Sequence, residues 1–176
     1  MGSLERQIRA LRESDLKMLL SWRNHPEVRR YMLTQHKISA DEHMKWFRRT
    51  SVDPQRHLLI YQYKEIPLGF ISLYQTSESA VADWGFYLSP DSEKGTGNAL
   101  GEAGLTYAFE YLKLHKICGK VLSYNARSIR FHESLGFVRE GILRQQHLVD
   151  TSYHDLVCFG LLSSDWKSGY KELHSC

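Results

Sequence analysis

The run Lys94-Gly95-Thr96-Gly97, leading through Asn98 and Ala99 into an amphipathic stretch that ends near Leu114, has the residue types of a phosphate cradle. Two glycines let the backbone curl so that successive N–H groups point to one spot. A helix N-terminus adds partial positive charge there. A ligand carrying a diphosphate is the matching occupant. The run is not a Walker loop, which needs Gly, four residues and Gly-Lys-Ser/Thr, and Leu100 breaks the dinucleotide fingerprint. Taken alone, Gly-x-Gly also fits a plain tight turn at a helix start.

Three further groups of residues could do chemistry. Trp22, Arg23, Asn24, Arg29 and Arg30 place a planar aromatic beside several guanidinium groups, suited to stacking and to bidentate contact with an anion. The same pattern also fits a core tryptophan beside solvated arginines. His43 and Trp46 lie one helical turn apart and read either as cavity residues or as structural ones. His132-Glu133 is not followed by the second histidine of His-Glu-x-x-His, because position 136 is Gly, so no metal site is expected.

These residues need elements to position them. Arg6–Leu11 alternates as a first strand, and Ser14-Asp15 caps a helix with Leu16, Leu19, Leu20 and Trp22 on one face. Pro26 starts a second short helix reaching Met32, and Ser39-Ala40-Asp41-Glu42 has the form of a capping box for a third, ending near Arg49. Leu58–Tyr63 and Gly69–Tyr74 form a hairpin through 64–68, and Val81–Leu88 continues the sheet. Gly85 inside that aromatic strand marks a bulge or a close approach to the backbone. After the glycine turn comes a helix packed through Leu100, Gly104, Tyr107, Ala108, Tyr111 and Leu114. A strand at Ile117–Ser123, a helix at Ala126–Leu135 and strands at Phe137–Val149 and Tyr153–Leu162 follow. The order gives an α+β class with a mixed, mostly antiparallel sheet flanked by helices.

With 176 residues, the chain is expected to form one domain, 1–176. A net charge of +3 without a basic stripe argues against nucleic acid. No apolar run reaches the length of a membrane span, and a cytoplasmic location is expected. Cys118, Cys158 and Cys176 are odd in number and widely spaced, which argues against a disulfide framework or a thiolate metal site.

The glycine turn, followed about thirty residues later by Asn125-x-x-Ser128-x-x-Phe131-His132-x-x-x-Gly136-Phe137, resembles the GCN5-related N-acetyltransferases. That resemblance implies a V-shaped cofactor cleft and acetyl-coenzyme A as co-substrate, its pyrophosphate on the N–H groups of Lys94, Gly95, Thr96, Gly97, Asn98 and Ala99. It also implies that Phe86, Tyr87 and Leu88 run along the pantetheine, with main-chain bonds from Phe86 and Leu88, and that the Asn125 amide holds the same arm. His132 stands where the family often has a tyrosine acid, and Asp83 where many relatives place a glutamate that deprotonates the amine through water. Ser92 departs from the family's usual Arg or Gln.

Trp22-Arg23-Asn24-His25-Pro26-Glu27-Val28-Arg29-Arg30-Tyr31-Met32, with Glu42-His43 and Phe131–Gly141, resembles one branch. Its members are the pseudaminic acid pathway N-acetyltransferases, linked to flagellin glycosylation, which act on UDP-4-amino-4,6-dideoxy-N-acetyl-β-L-altrosamine. The resemblance implies that Trp22, Arg23, Asn24, Arg29, Arg30, His43 and Trp46 hold a nucleotide sugar. Protein Nα- and polyamine acetylation, a coenzyme A-binding module without turnover, and a homodimer all remain open.

Overall fold

The computed structural model describes residues 6–76 and 79–166. Seven strands form the framework: β1 (Arg6–Ala10), β2 (Arg56–Tyr63), β3 (Ile66–Gln75), β4 (Val81–Leu88), β5 (Lys116–Leu122), β6 (Val138–Val149) and β7 (Ser152–Leu162). The helices are α1 (Leu16–Asn24), α2 (Pro26–Arg29), α3 (Ala40–Thr50), α4 (Thr96–Thr106) and α5 (Ala126–Ser134). The strand order is β1-β2-β3-β4-β5-β7-β6. β4 and β5 pair in parallel, while β1/β2, β2/β3, β5/β7 and β6/β7 are antiparallel. The mixed, mostly antiparallel sheet is therefore the expected one.

Two compact units share β4. One gathers the chain up to Tyr74 with Gly85–Gly104, the other Gln75–Trp84 with the chain from Leu105 onward. In the first, Leu11, Leu16, Leu19, Trp22, Leu58, Ile60 and Phe70 close a core beneath α1 and α3. Burying each such side chain contributes about 1.5–3 kcal/mol. Lys64 and Glu65, both at positive φ, turn β2 into β3, so the hairpin loop is tighter than the five residues expected. The period-two pleat sends Phe70 towards the core beneath α1 and α3 and Ile71 towards α4, where a Cβ on Gly104 would lie 2.9 Å from Ile71 Cδ1. Asp15 does not cap α1 with its side chain. Its carboxylate takes two hydrogen bonds from Arg9 (2.7 and 2.9 Å) and one from the Arg12 N–H (2.8 Å). α2 is shorter than the expected helix to Met32.

In the second unit, Ala82, Trp84, Ile117, Phe137, Val157, Phe159 and Leu161 are buried. Here a π-turn, Tyr107–Tyr111, follows α4 and overturns one expectation. The Leu112 N–H reaches back to Tyr107 O (3.0 Å), a five-residue span that shifts the phase of the helix. Tyr111 therefore stacks on Tyr107 at 5.0 Å and stays 73% exposed instead of packing inward. Cys118 and Cys158 are free thiols, and Cys176 lies outside the described residues. No helix among the described residues is long and apolar enough to cross a membrane.

Candidate functional site

The site is built from α3 upward. Ser39 Oγ accepts the Glu42 N–H at 3.2 Å and starts α3 at Ala40, while the Glu42 carboxylate goes to His36 and leaves the expected capping box half made. Along α3, the i, i+3 and i+4 positions Glu42, His43, Trp46 and Arg49 share a face that lines a cavity of about 720 Å³. Phe70 and Ser72 of β3, two residues apart on one pleat face, and Gly85, Phe86 and Tyr87 of β4 supply further wall. A Cβ on Gly85 would lie 3.3 Å from Ser72 Oγ, so the bare backbone belongs to the lining.

The segment between α2 and α3 completes it with Met32, Thr34, Ile38 and Ser39. Its thread is held by the end of α1. Asn24 Nδ2 donates to Ile38 O, and the Ile38 N–H donates to Asn24 Oδ1, both at 2.8 Å. Arg23 Nη2 donates to Thr34 O at 2.7 Å. Arg23 Nη1, by contrast, is buried and makes no hydrogen bond to a described residue. Burial pushes the Arg23 guanidinium down from its ordinary value, opposed by the proximity of Tyr87 and Glu42. Burial also pushes the Tyr87 phenol far up. The other lining cations, Lys45 and Arg49, form no ion pair among the described residues, whereas Glu42 is engaged by His36 Nε2 at 2.9 Å.

Of the residues expected to hold an acceptor, Arg23, His43 and Trp46 meet in this lining. Trp22 is a correction: it is 8% exposed and packs with Leu19, Ile60 and Phe70, leaving no face for a base to stack on. Asn24 acts on the wall through Ile38. Arg30 faces elsewhere; its guanidinium pairs with Glu27 (3.1 Å) and lies 4.6 Å over the Tyr31 ring. Arg29 is half-buried on α2 and is not among the lining residues. Lys45, Arg49, Phe70 and Ser72 were missed, because nothing local distinguishes a cavity-facing basic position from a solvated one.

At the glycine turn, Gly95 has φ +91°, which favours glycine, and the Ala99 N–H closes the first helical bond to Gly95 O at 3.3 Å. The Thr96 N–H goes to Glu93 O, so the N–H groups of Gly97 and Asn98 have no acceptor among the described residues. A cradle of this kind fits a phosphate. Lys94 and Leu88 flank the turn and the end of β4.

The other unit carries Asn125, His132 and Asp83. Asn125 Oδ1 caps α5 by accepting the Ser128 N–H at 3.1 Å; its Nδ2 makes no hydrogen bond to a described residue. His132 is a second correction. It is 2% exposed, with Phe159 stacked at 4.9 Å. The Trp84 Nε1–H donates to His132 Nε2 at 3.1 Å, and His132 Nδ1–H donates to Ser128 O at 2.7 Å, which selects one neutral tautomer. Burial pushes its basicity down. With both nitrogens engaged, the ring has no proton to give a departing thiolate. Asp83 lies on β4 with its side chain 42% exposed and Lys120 Nζ 3.9 Å away. Burial pushes the Cys118 thiol up, which disfavours a nucleophilic thiolate. Among the described residues no three His, Cys, Asp or Glu converge as a metal site.

The fold order, the glycine turn entering α4 and the asparagine-capped α5 define a class, and the Acetyltransferase (GNAT) domain profile matches residues 6–138, so the chain belongs to the GNAT acetyltransferase family. It is an acetyl-coenzyme A-dependent amine N-acetyltransferase. Among its relatives, the acetyltransferase PseH of Campylobacter jejuni is 29% identical over 128 residues, 72% of this chain and 79% of that protein. The spermidine N(1)-acetyltransferase of Vibrio cholerae is 25% identical over 162 residues, 90% of this chain and 94% of that one. A crystal structure of the Vibrio cholerae spermidine N-acetyltransferase with CoA and spermine superposes with a TM-score of 0.86 at 23% identity, covering 93% of this chain and 98% of that one.

Proposed function

We propose that the acceptor is a primary amine on an anionic nucleotide sugar, the UDP-4-amino-4,6-dideoxy-N-acetyl-β-L-altrosamine of pseudaminic acid synthesis. The observation that carries this reading is Arg23: a buried guanidinium nitrogen without a hydrogen bond among the described residues, in a cavity whose other cations, Lys45 and Arg49, form no ion pair with a described residue. A phosphate oxygen would satisfy it. A polyamine would instead bring its own positive charge towards Arg23, which costs free energy in a partly desolvated place. The similarity to PseH points the same way. The free N–H groups of Gly97 and Asn98 would hold the pyrophosphate of acetyl-coenzyme A. The neutral amine attacks the thioester carbonyl, whose oxygen a β4 N–H polarises.

A second reading, polyamine acetylation, is favoured by the longer match to the spermidine enzyme and by Asp41 and Glu42 in the lining. One assay separates the two. Purified protein with acetyl-coenzyme A and the UDP-amino sugar should yield a product heavier by one acetyl group. Arg23→Gln should raise KM for the sugar nucleotide about tenfold or more, the loss of a charge-assisted bond worth ~1.5–3 kcal/mol, and leave KM for acetyl-coenzyme A unchanged. Acetylation of spermidine with none of the sugar would replace the proposal by the second reading.

A further inference from the structure

A titratable ring in the cavity has no hydrogen-bond partner among the described residues. His43 is 5% exposed, and its backbone N–H is bonded to Ser39 O at 3.0 Å. Its ring stacks on Trp46, centroids 5.1 Å apart and planes at 17°, which holds the imidazole in one orientation. Neither ring nitrogen makes a hydrogen bond to a described residue, and the side chain lines the cavity. Its nitrogens stay accessible from the cavity, so whatever occupies that space can hydrogen-bond to the ring.

The charged and titratable groups around it are Arg23 on α1, Asp41, Glu42, Lys45 and Arg49 on α3, and Tyr87 on β4. Glu42 is turned to His36, and the charge acting on His43 is the Arg23 guanidinium. Burial, assisted by the Arg23 charge, pushes the ring below its ordinary value, and it is neutral near pH 7. Backbone of β4 at Gly85 and Phe86 borders the same space.

We propose that His43 is the proton acceptor for the substrate amine, a catalytic residue in a position the glycine turn and α5 motifs do not include. This rests on the reading that the cavity holds the acceptor. The acceptor arrives as an ammonium, and one N–H proton passes to an unprotonated His43 nitrogen. The freed lone pair forms the N–C bond to the thioester carbonyl, and the C–S bond breaks. The second proton leaves the nitrogen and, through solvent, makes coenzyme A thiol. The imidazolium returns its proton to solvent, so each turnover converts ammonium and thioester into amide, thiol and one released proton.

The test uses the full chain with acetyl-coenzyme A and, in parallel, the UDP-amino sugar, spermidine and a peptide with N-terminal alanine. With whichever is turned over, His43→Gln should lower kcat about 10²–10⁴-fold. It should leave KM for acetyl-coenzyme A in place and abolish the rising acid limb of the kcat–pH profile. Added imidazole should restore part of the activity of His43→Ala. Hydroxylamine, already neutral near pH 7, should react equally with wild type and His43→Gln. A variant that raises acceptor KM while keeping kcat and the acid limb would overturn the inference, as would a loss of activity that tracks the unfolded fraction. Turnover of spermidine alone with the His43 dependence intact sinks the nucleotide-sugar reading and leaves His43 standing. Turnover of the sugar with His43→Gln unaffected does the reverse. Turnover of none of the three acceptors overturns both.

Discussion

Replacing His132 by Phe should destabilise the protein and leave the chemical step of the folded fraction intact. The ring is buried against Phe159, so a phenyl keeps the apolar area. What is lost is the acceptor for the Trp84 indole N–H and the bond to Ser128 O. A buried donor left unsatisfied costs about 1–3 kcal/mol. The larger ring also meets β5: a Cβ on Gly119 would lie 2.6 Å from His132 Nε2, so that backbone already sits close to the ring. Overpacking of this kind costs about 1–3 kcal/mol. Together roughly 2–6 kcal/mol follow, or a fall in Tm of about 4–24 °C for a domain of this size. Thermal and denaturant unfolding give the stability, and single-turnover acetyl transfer at low temperature gives the rate. A variant as stable as wild type that loses a hundredfold or more in kcat would refute the argument and restore His132 as a proton donor.

Asn24→Ala should cost ~1–3 kcal/mol, because the N–H and C=O of Ile38 both lose their partner. It should also raise KM for the acceptor more than KM for acetyl-coenzyme A; equal effects in steady-state kinetics would remove its role in holding the cavity wall. Burial holds His43, His57 and His132 below their ordinary basicity. Near and below pH ~6.5 the unfolded chain therefore binds more protons than the folded one, so stability should rise with pH through that window and fall on acidification. Denaturant midpoints at about pH 5.5 and 7.5 test this, and identical values would refute it.

Much of this molecule is written locally. Ser39 and Glu42 announce the start of α3, Pro26 that of α2, and the alternating runs give β2, β4, β6 and β7 to within a residue or two, because caps and pleat periods depend on neighbours a few residues away. The glycine turn is local in the same sense: a positive φ at Gly95 and free N–H groups at Gly97 and Asn98 follow from backbone geometry alone. Side-chain roles are set otherwise. His132 is kept neutral by burial and its tautomer set by Trp84, 48 residues away, and Trp22 of α1 is buried against Ile60 of β2 and Phe70 of β3. Of three candidate arginines, only Arg23 enters the lining, because the turn at His25-Pro26 carries Arg29 onto α2 and Arg30 to its C-terminal end. Tyr111 is exposed by a widened turn that no periodicity signals. The sequence by itself determined most of the elements, the glycine turn and the family. Tertiary structure decided which rings are core, which cation is left unpaired and which histidine faces the cavity, since burial and partner choice depend on residues that only the folded chain brings together.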